Sequence, residues 1–228
     1  MNEILLPDES SSGNRRGFLK KLAAGLAILG IQTQDLEAAT NAKHPAVKWF
    51  ESIKGRHRVV FDVPHPNGIM PFAWPRVFLG SNESVGTPYS DCCVVVVLRH
   101  SAIAYAFDHP VWEKYQFGEI FKANDPNTDK PAIKNPFWKP EPGTFKIPGN
   151  DRIFIGINEL QEDGVKFCFC EGALGVYSHV VAKKTGSTAD AVKKDWMASL
   201  LPGIQPVPSG VWALGRAQEH RCSYIFAG

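Results

Sequence analysis

The sequence predicts an α/β fold: a three-layer α/β/α sandwich on a mainly parallel five-stranded sheet. Three observations predict it. Asp91–Leu98 reads DCCVVVVL, and four consecutive valines without polar alternation imply burial on both faces, as in a central parallel strand. Four further strand-like runs are separated by segments with helical periodicity or helix caps, the alternation that builds parallel sheets. The chain has 228 residues and is 44% hydrophobic, enough for one domain with a sizeable core.

In chain order, a short leader helix is expected near Pro45–Ile53, followed by a first strand at Arg58–Val63 (RVVFDV). The valine strand is second. Pro110–Ala123 opens with proline in the first helical turn, where its missing N–H costs nothing. Arg152–Glu162 reads as a helix stopped by Gly164. Lys166–Cys170 is the third strand. Ala173–Lys184 places Leu174, Tyr177, Val180 and Val181 on one stripe and ends at Gly186. Ser187 to Asp190 resembles a capping box opening Ala189–Leu201, which Pro202 and Gly203 close. Gln205–Val207 is a short fourth strand, Ser209 caps a helix over Val211–His220, and Ser223–Phe226 is the fifth strand.

Two stretches depart from this plan and read as insertions in a single domain spanning 43–228. Residues 64–90 are rich in proline, glycine and aromatics. Residues 124–150 hold six prolines, which excludes a continuous helix or strand. A loop that long in a compact domain is expected to serve as a lid or an oligomer-contact arm, with Phe137 and Trp138 as its apolar foot.

The N-terminus reads NRRGFLKKLAAGLAILGIQ. Arg15 and Arg16 precede Phe18, Leu19 and Lys20, and a ten-residue apolar stretch from Leu22 to Ile31 follows. That stretch is too short for a stable membrane span but suits a signal h-region. The arrangement resembles a twin-arginine (Tat) export signal over residues 1–42; the competing reading is a basic amphipathic helix of the mature protein. Export through the Tat translocase implies a periplasmic or otherwise exported protein, without a membrane span after cleavage. The formal net charge of +2, with no lysine or arginine stripe, argues against a nucleic-acid partner.

Ligands of open parallel sheets bind beyond the carboxyl ends of the strands. Three places qualify: Arg99, His100 and Ser101 after the second strand; Cys170, Glu171 and Gly172 after the third; Pro208, Ser209 and Gly210 after the fourth. Cys170 stands where a strand meets a helix N-terminus, whose free N–H groups and dipole favour a thiolate. Gly172 leaves room for a second molecule. His100 is a candidate base or charge partner. Arg99 suits an anionic group, and Glu171 proton handling. Cys168, on the same side of the strand but one step deeper, is a secondary thiol. Cys92, Cys93 and Cys222 read as small core residues.

A soft-metal site would need ligands beyond the Cys-x-Cys pair, and only His179 and His100 offer themselves. There is no Gly-rich phosphate loop, GxSxG or HExxH, so nucleotide, α/β-hydrolase and zincin readings have no support; no cofactor is expected. A Cys168–Cys170 disulfide would distort the strand's end.

GVKFCFCEGAL, then a helix, then LLPGIQPVPSGVWALGRAQEHRCSYIFAG, resembles the DsrE/DsrF-like family, as does VVVVLRHSAIAYAF. The resemblance covers Arg58–Phe226 outside the two insertions. It implies a flavodoxin-like fold, homo-oligomers, and sulfur carried as a persulfide on the cysteine that Cys170 matches, received from a sulfane-sulfur donor. Two other expectations stand beside it: a non-catalytic oligomer holding a small ligand or partner under the proline-rich arm, and soft-metal binding through Cys168, Cys170 and His179.

Overall fold

The structure is a computed structural model and describes residues 44–228. The expected export signal lies outside the described residues. Five strands, all parallel, form one sheet: β1 (His57–Val63), β2 (Cys92–Leu98), β3 (Lys166–Cys170), β4 (Ile204–Val207) and β5 (Ser223–Phe226). Their order is β4-β3-β2-β1-β5. The valine strand β2 is central, and Val94 to Leu98 are buried.

The helices are α1 (Pro45–Glu51), α2 (Met70–Ser84), α3 (His109–Tyr115), α4 (Phe117–Phe121), α5 (Ile157–Glu162), α6 (Glu171–Thr185), α7 (Ala189–Ala198) and α8 (Gly210–Glu219). Connections from β1 through β4 run across one face of the sheet. Phe72 and Leu79 of α2, Trp112 of α3, Leu174 and Val181 of α6, and Trp196 of α7 pack there with Val59, Val96 and Phe169. The return from β4 to β5 uses the other face. There Ala213 and Leu214 of α8 and Phe50 of α1 close over Val60, Val97 and Cys168, and α8 contacts all five strands. The result is a three-layer α/β/α sandwich of flavodoxin-like type, with the last strand at the edge beside β1. Among the described residues no helix is long and apolar enough to cross a membrane.

Three segments differ from the expectations. The region 64–90 contains a fifteen-residue helix, α2, which is the β1–β2 crossover. Its Pro71 sits in the tolerant first turn, and the ring of Pro75 is buried. Packing of Phe72 and Leu79 outweighs the hydrogen bond lost at Pro75. The expected helix Pro110–Ala123 is broken at Gln116, whose φ of 55° ends α3 and begins α4. A Cβ on Gly118 would lie 2.4 Å from the Ala132 backbone, so close docking of the arm shapes this turn. The helix expected from Arg152 begins only at Ile157, where the Glu159 carboxylate accepts the Gly156 N–H at 2.8 Å.

The arm 124–150 is anchored in the core. Phe137 is fully buried, stacked on Phe72 at 4.2 Å and on Phe145 at 5.1 Å. The buried amide of Asn135 donates to the carbonyls of Tyr105 (3.0 Å) and Phe107 (2.9 Å). These two carbonyls belong to or follow the 3₁₀ segment His100–Ala106, which therefore leans on the arm for part of its hydrogen bonding.

Candidate functional site

The chain leaves β3 and β4 in opposite directions, α6 covering one face of the sheet and α8 the other. Adjacent strands whose connections diverge open a crevice at their carboxyl ends. Cys170 closes β3 and is the N-cap of α6; Ser209 follows β4 and is the N-cap of α8. The Ser209 hydroxyl accepts the Trp212 N–H at 3.1 Å. Across the crevice, the Gly172 N–H donates to the Pro208 carbonyl at 3.2 Å. Two helix N-termini thus lie side by side at the ends of β3 and β4.

The Cys170 sulfur accepts the Ala173 N–H at 3.2 Å, at the start of a fifteen-residue helix. Cys170 is buried, with a residual exposure of 8%. A Cβ added to Gly172 would come within 3.6 Å of Sγ and 3.5 Å of the Pro208 oxygen. That glycine therefore keeps the space beside the sulfur open. Cys168 is different: it is fully buried among Val60, Val95, Val97 and Val207, and burial raises its pKa strongly. The pleat alone would keep both thiols on one side, yet the turn into α6 brings Cys170 against the other core cluster.

Arg99 follows β2 directly, and its Nε and Nη2 donate to the two oxygens of Asp62 at 2.6 and 3.0 Å. Asp62 is 2% exposed, so its charge requires such a partner. The Tyr224 hydroxyl donates to Asp62 Oδ2 at 2.8 Å. Val60 and Val97 pack toward α8, and Val60 pairs with Tyr224. By the two-residue alternation Asp62, Arg99 and Tyr224 therefore share that face. The Arg99 pKa is raised, first by its hydrogen bond to Asp62, with the Cys170 charge among the smaller contributors. A Cβ on Gly210 would lie 2.4 Å from Arg99 Cβ, so glycine lets the start of α8 press against Arg99.

Of the residues expected at the site, Cys170, Gly172 and Ser209 line the crevice, and Arg99 abuts Gly210. Glu171 is the half-exposed first residue of α6. His100 is exposed with a φ of 48°. Its ring rests on Tyr177 at 5.8 Å, two helical turns along from Cys170, about 10 Å of rise. Among the described residues no hydrogen bond joins His100 to Cys170. His179 is exposed and its Nδ1 lies 2.8 Å from the Gly175 carbonyl. Among the described residues no three His, Cys, Asp or Glu side chains are grouped to hold a metal ion.

Asp62 and Tyr224 are the residues that sequence reasoning missed. A charged residue one place from the end of RVVFDV, a strand with no polar alternation, was the available signal, because buried carboxylates are almost always paired. Nothing local marked Tyr224, which reaches Asp62 across 162 positions of chain.

No family model matches the chain, and no curated protein matches it. Among solved structures, a protein of unknown function, MTH1491 from Methanobacterium thermoautotrophicum, is similar over 75% of this chain and 98% of its own, at 17% identity and a TM-score of 0.37.

Proposed function

We propose that this chain is an exported, DsrE-like sulfur carrier in which Cys170 takes up sulfane sulfur as a persulfide. The observation that carries the reading is the Cys170 sulfur, hydrogen-bonded by the Ala173 N–H at 3.2 Å at a helix N-terminus, in a crevice between diverging crossovers. The backbone donor orients the sulfur at the helix start, and the thiolate is the nucleophilic form of the group.

In the loading step the Cys170 thiolate attacks the outer sulfur of a donor persulfide, R–S–SH. The new Cys170 S–S bond forms as the donor S–S bond breaks, and R–S⁻ leaves with the electron pair. The outer sulfur keeps its proton, and no external oxidant or reductant is needed. With thiosulfate the leaving group is sulfite. Arg99, with Nη1 unbonded among the described residues, is the cation placed to attract such anionic donors. His100, whose ring rests on Tyr177, takes no part in this step.

The test is intact-mass analysis of the full chain after incubation with thiosulfate or glutathione persulfide. The expected product gains one sulfur atom, removed by reductant and absent in Cys170→Ser. An unmodified wild type, or equal labelling of the serine variant, would sink the reading. Export is tested separately by fractionating cells that express Arg15→Lys/Arg16→Lys; retention inside the cell is expected.

A further inference from the structure

A second concavity, separate from the Cys170 crevice, lies under the proline-rich arm. It encloses about 560 Å³ between the β1–α2 loop, the end of α4 and the arm, within the range of roughly 300–1,000 Å³ typical of small-molecule sites. Ile69 and Phe145 provide apolar wall, while Asn67, Lys122 and Lys146 bring polar groups to it.

Its floor holds an unusual group. Tyr105 is 1% exposed and packed among Phe72, Trp112 and Phe137, yet it lines the cleft. Its hydroxyl makes no hydrogen bond among the described residues, and burial alone raises its pKa. Buried phenols normally find a partner. This neutral phenol borders the cleft.

The charges around the cleft are not equivalent. Asp125 and Asp129 also line it, but both carboxylates serve the loop. Asp125 Oδ1 accepts the N–H groups of Asn127 (2.9 Å) and Thr128 (3.0 Å), and Asp129 Oδ1 accepts the Asn124 amide at 3.0 Å. Lys122 and Lys146 have no ion pair or hydrogen bond from their ammonium groups among the described residues. Two uncommitted cations and an unpartnered phenol therefore face a cleft with an aromatic wall.

We infer that this cleft binds a small planar organic carboxylate. Its carboxylate is taken by Lys122 and Lys146, and its flat body lies along Phe145 and Ile69 over Tyr105. The inference does not rest on the sulfur chemistry: none of the cleft residues belongs to the Cys170 crevice.

The probe is benzoate, titrated into the full chain by calorimetry or ¹⁵N-detected NMR, with benzylamine as the cationic analogue of the same shape. Saturable benzoate binding is expected, weakened about tenfold in Lys122→Met and in Lys146→Met, the loss of one charge-assisted contact each. Tyr105→Phe, monitored for an unchanged fold by circular dichroism, weakens it severalfold. Cys170→Ser binds benzoate like the wild type, so failure here and failure of sulfur loading are distinguishable. The inference is overturned by an absence of saturable benzoate binding, by equal binding of benzylamine, by lysine variants that bind normally, or by loss of binding in Cys170→Ser.

Discussion

Arg99 and Asp62 meet side by side, with two parallel hydrogen bonds of 2.6 and 3.0 Å joining the guanidinium to the carboxylate. The pair holds a cation at the end of β2 and neutralises a carboxylate that is otherwise out of water. Bidentate geometry fixes the plane of the guanidinium as well as its position. Asp62 thus fixes Arg99 where it abuts Gly210; in the proposed function it is a positioning residue.

Asp62→Asn removes that constraint and leaves Arg99 without its counter-ion. Urea denaturation is expected to show a loss of about 1–3 kcal/mol, the usual cost of stranding a charged hydrogen-bonding partner. Sulfur loading at Cys170 slows in the same variant. Tyr224→Phe, which removes only the outer hydroxyl, costs about 0.5–1.5 kcal/mol. Equal stability of Asp62→Asn and wild type would mean that the ion pair contributes nothing.

Two glycines at the crevice separate space for a ligand from space for the fold. In Gly210→Ala the new methyl carbon meets Arg99 Cβ at 2.4 Å, and a destabilisation of about 1–3 kcal/mol is expected from overpacking. In Gly172→Ala the new contacts are ordinary ones of 3.5–3.6 Å. That variant is expected to match or exceed wild-type stability, since alanine is favoured over glycine in a helix by about 1 kcal/mol. Loading with thiosulfate should nevertheless slow, because the methyl group stands beside the sulfur. Unchanged loading kinetics would show that donors approach from elsewhere.

Alkaline pH should weaken the fold through its buried thiols. Burial pushes the Cys222 thiol up to about 11 from an ordinary value of 9.0, with the Cys93 charge a smaller contributor. As pH rises past 9.0 the unfolded chain releases this proton while the folded chain keeps it, so stability falls until about 11. Stability curves under reducing conditions should therefore drop less steeply over that window in Cys222→Ala than in wild type. Parallel curves would contradict this.

Truncating the arm's foot distinguishes a lid from a structural wedge. Phe137 is fully buried between Phe72 and Phe145, and Phe137→Ala is expected to cost about 3–5 kcal/mol. Thermal melting would show a large fall in Tm. A variant with wild-type stability would favour the lid reading of residues 124–150.

The legible parts of the fold were those written in local periodicity. DCCVVVVL announced the central strand, and KFCFC running into EGALG announced the strand-to-helix turn at Cys170. Ser209 was readable as a cap because its hydroxyl serves an N–H only three residues away. Helix α2 was obscured because Pro71 and Pro75 mimic loop composition, while its justification, the burial of Phe72 and Leu79 against the sheet, is tertiary.

By itself, the sequence determined the layers of this protein, because runs of apolar residues and capping side chains act over a few positions. It also singled out Cys170, through its place between a strand and a helix. Only the tertiary structure decided which groups gather at the carboxyl ends of the strands. Strand order brings β1, β2 and β5 together, and with them Asp62, Arg99 and Tyr224. The helix start, not the pleat, sets where Cys170 points and leaves Cys168 sealed. Such contacts join residues up to 162 positions apart; they form because burying a charge demands a partner, wherever in the chain that partner lies.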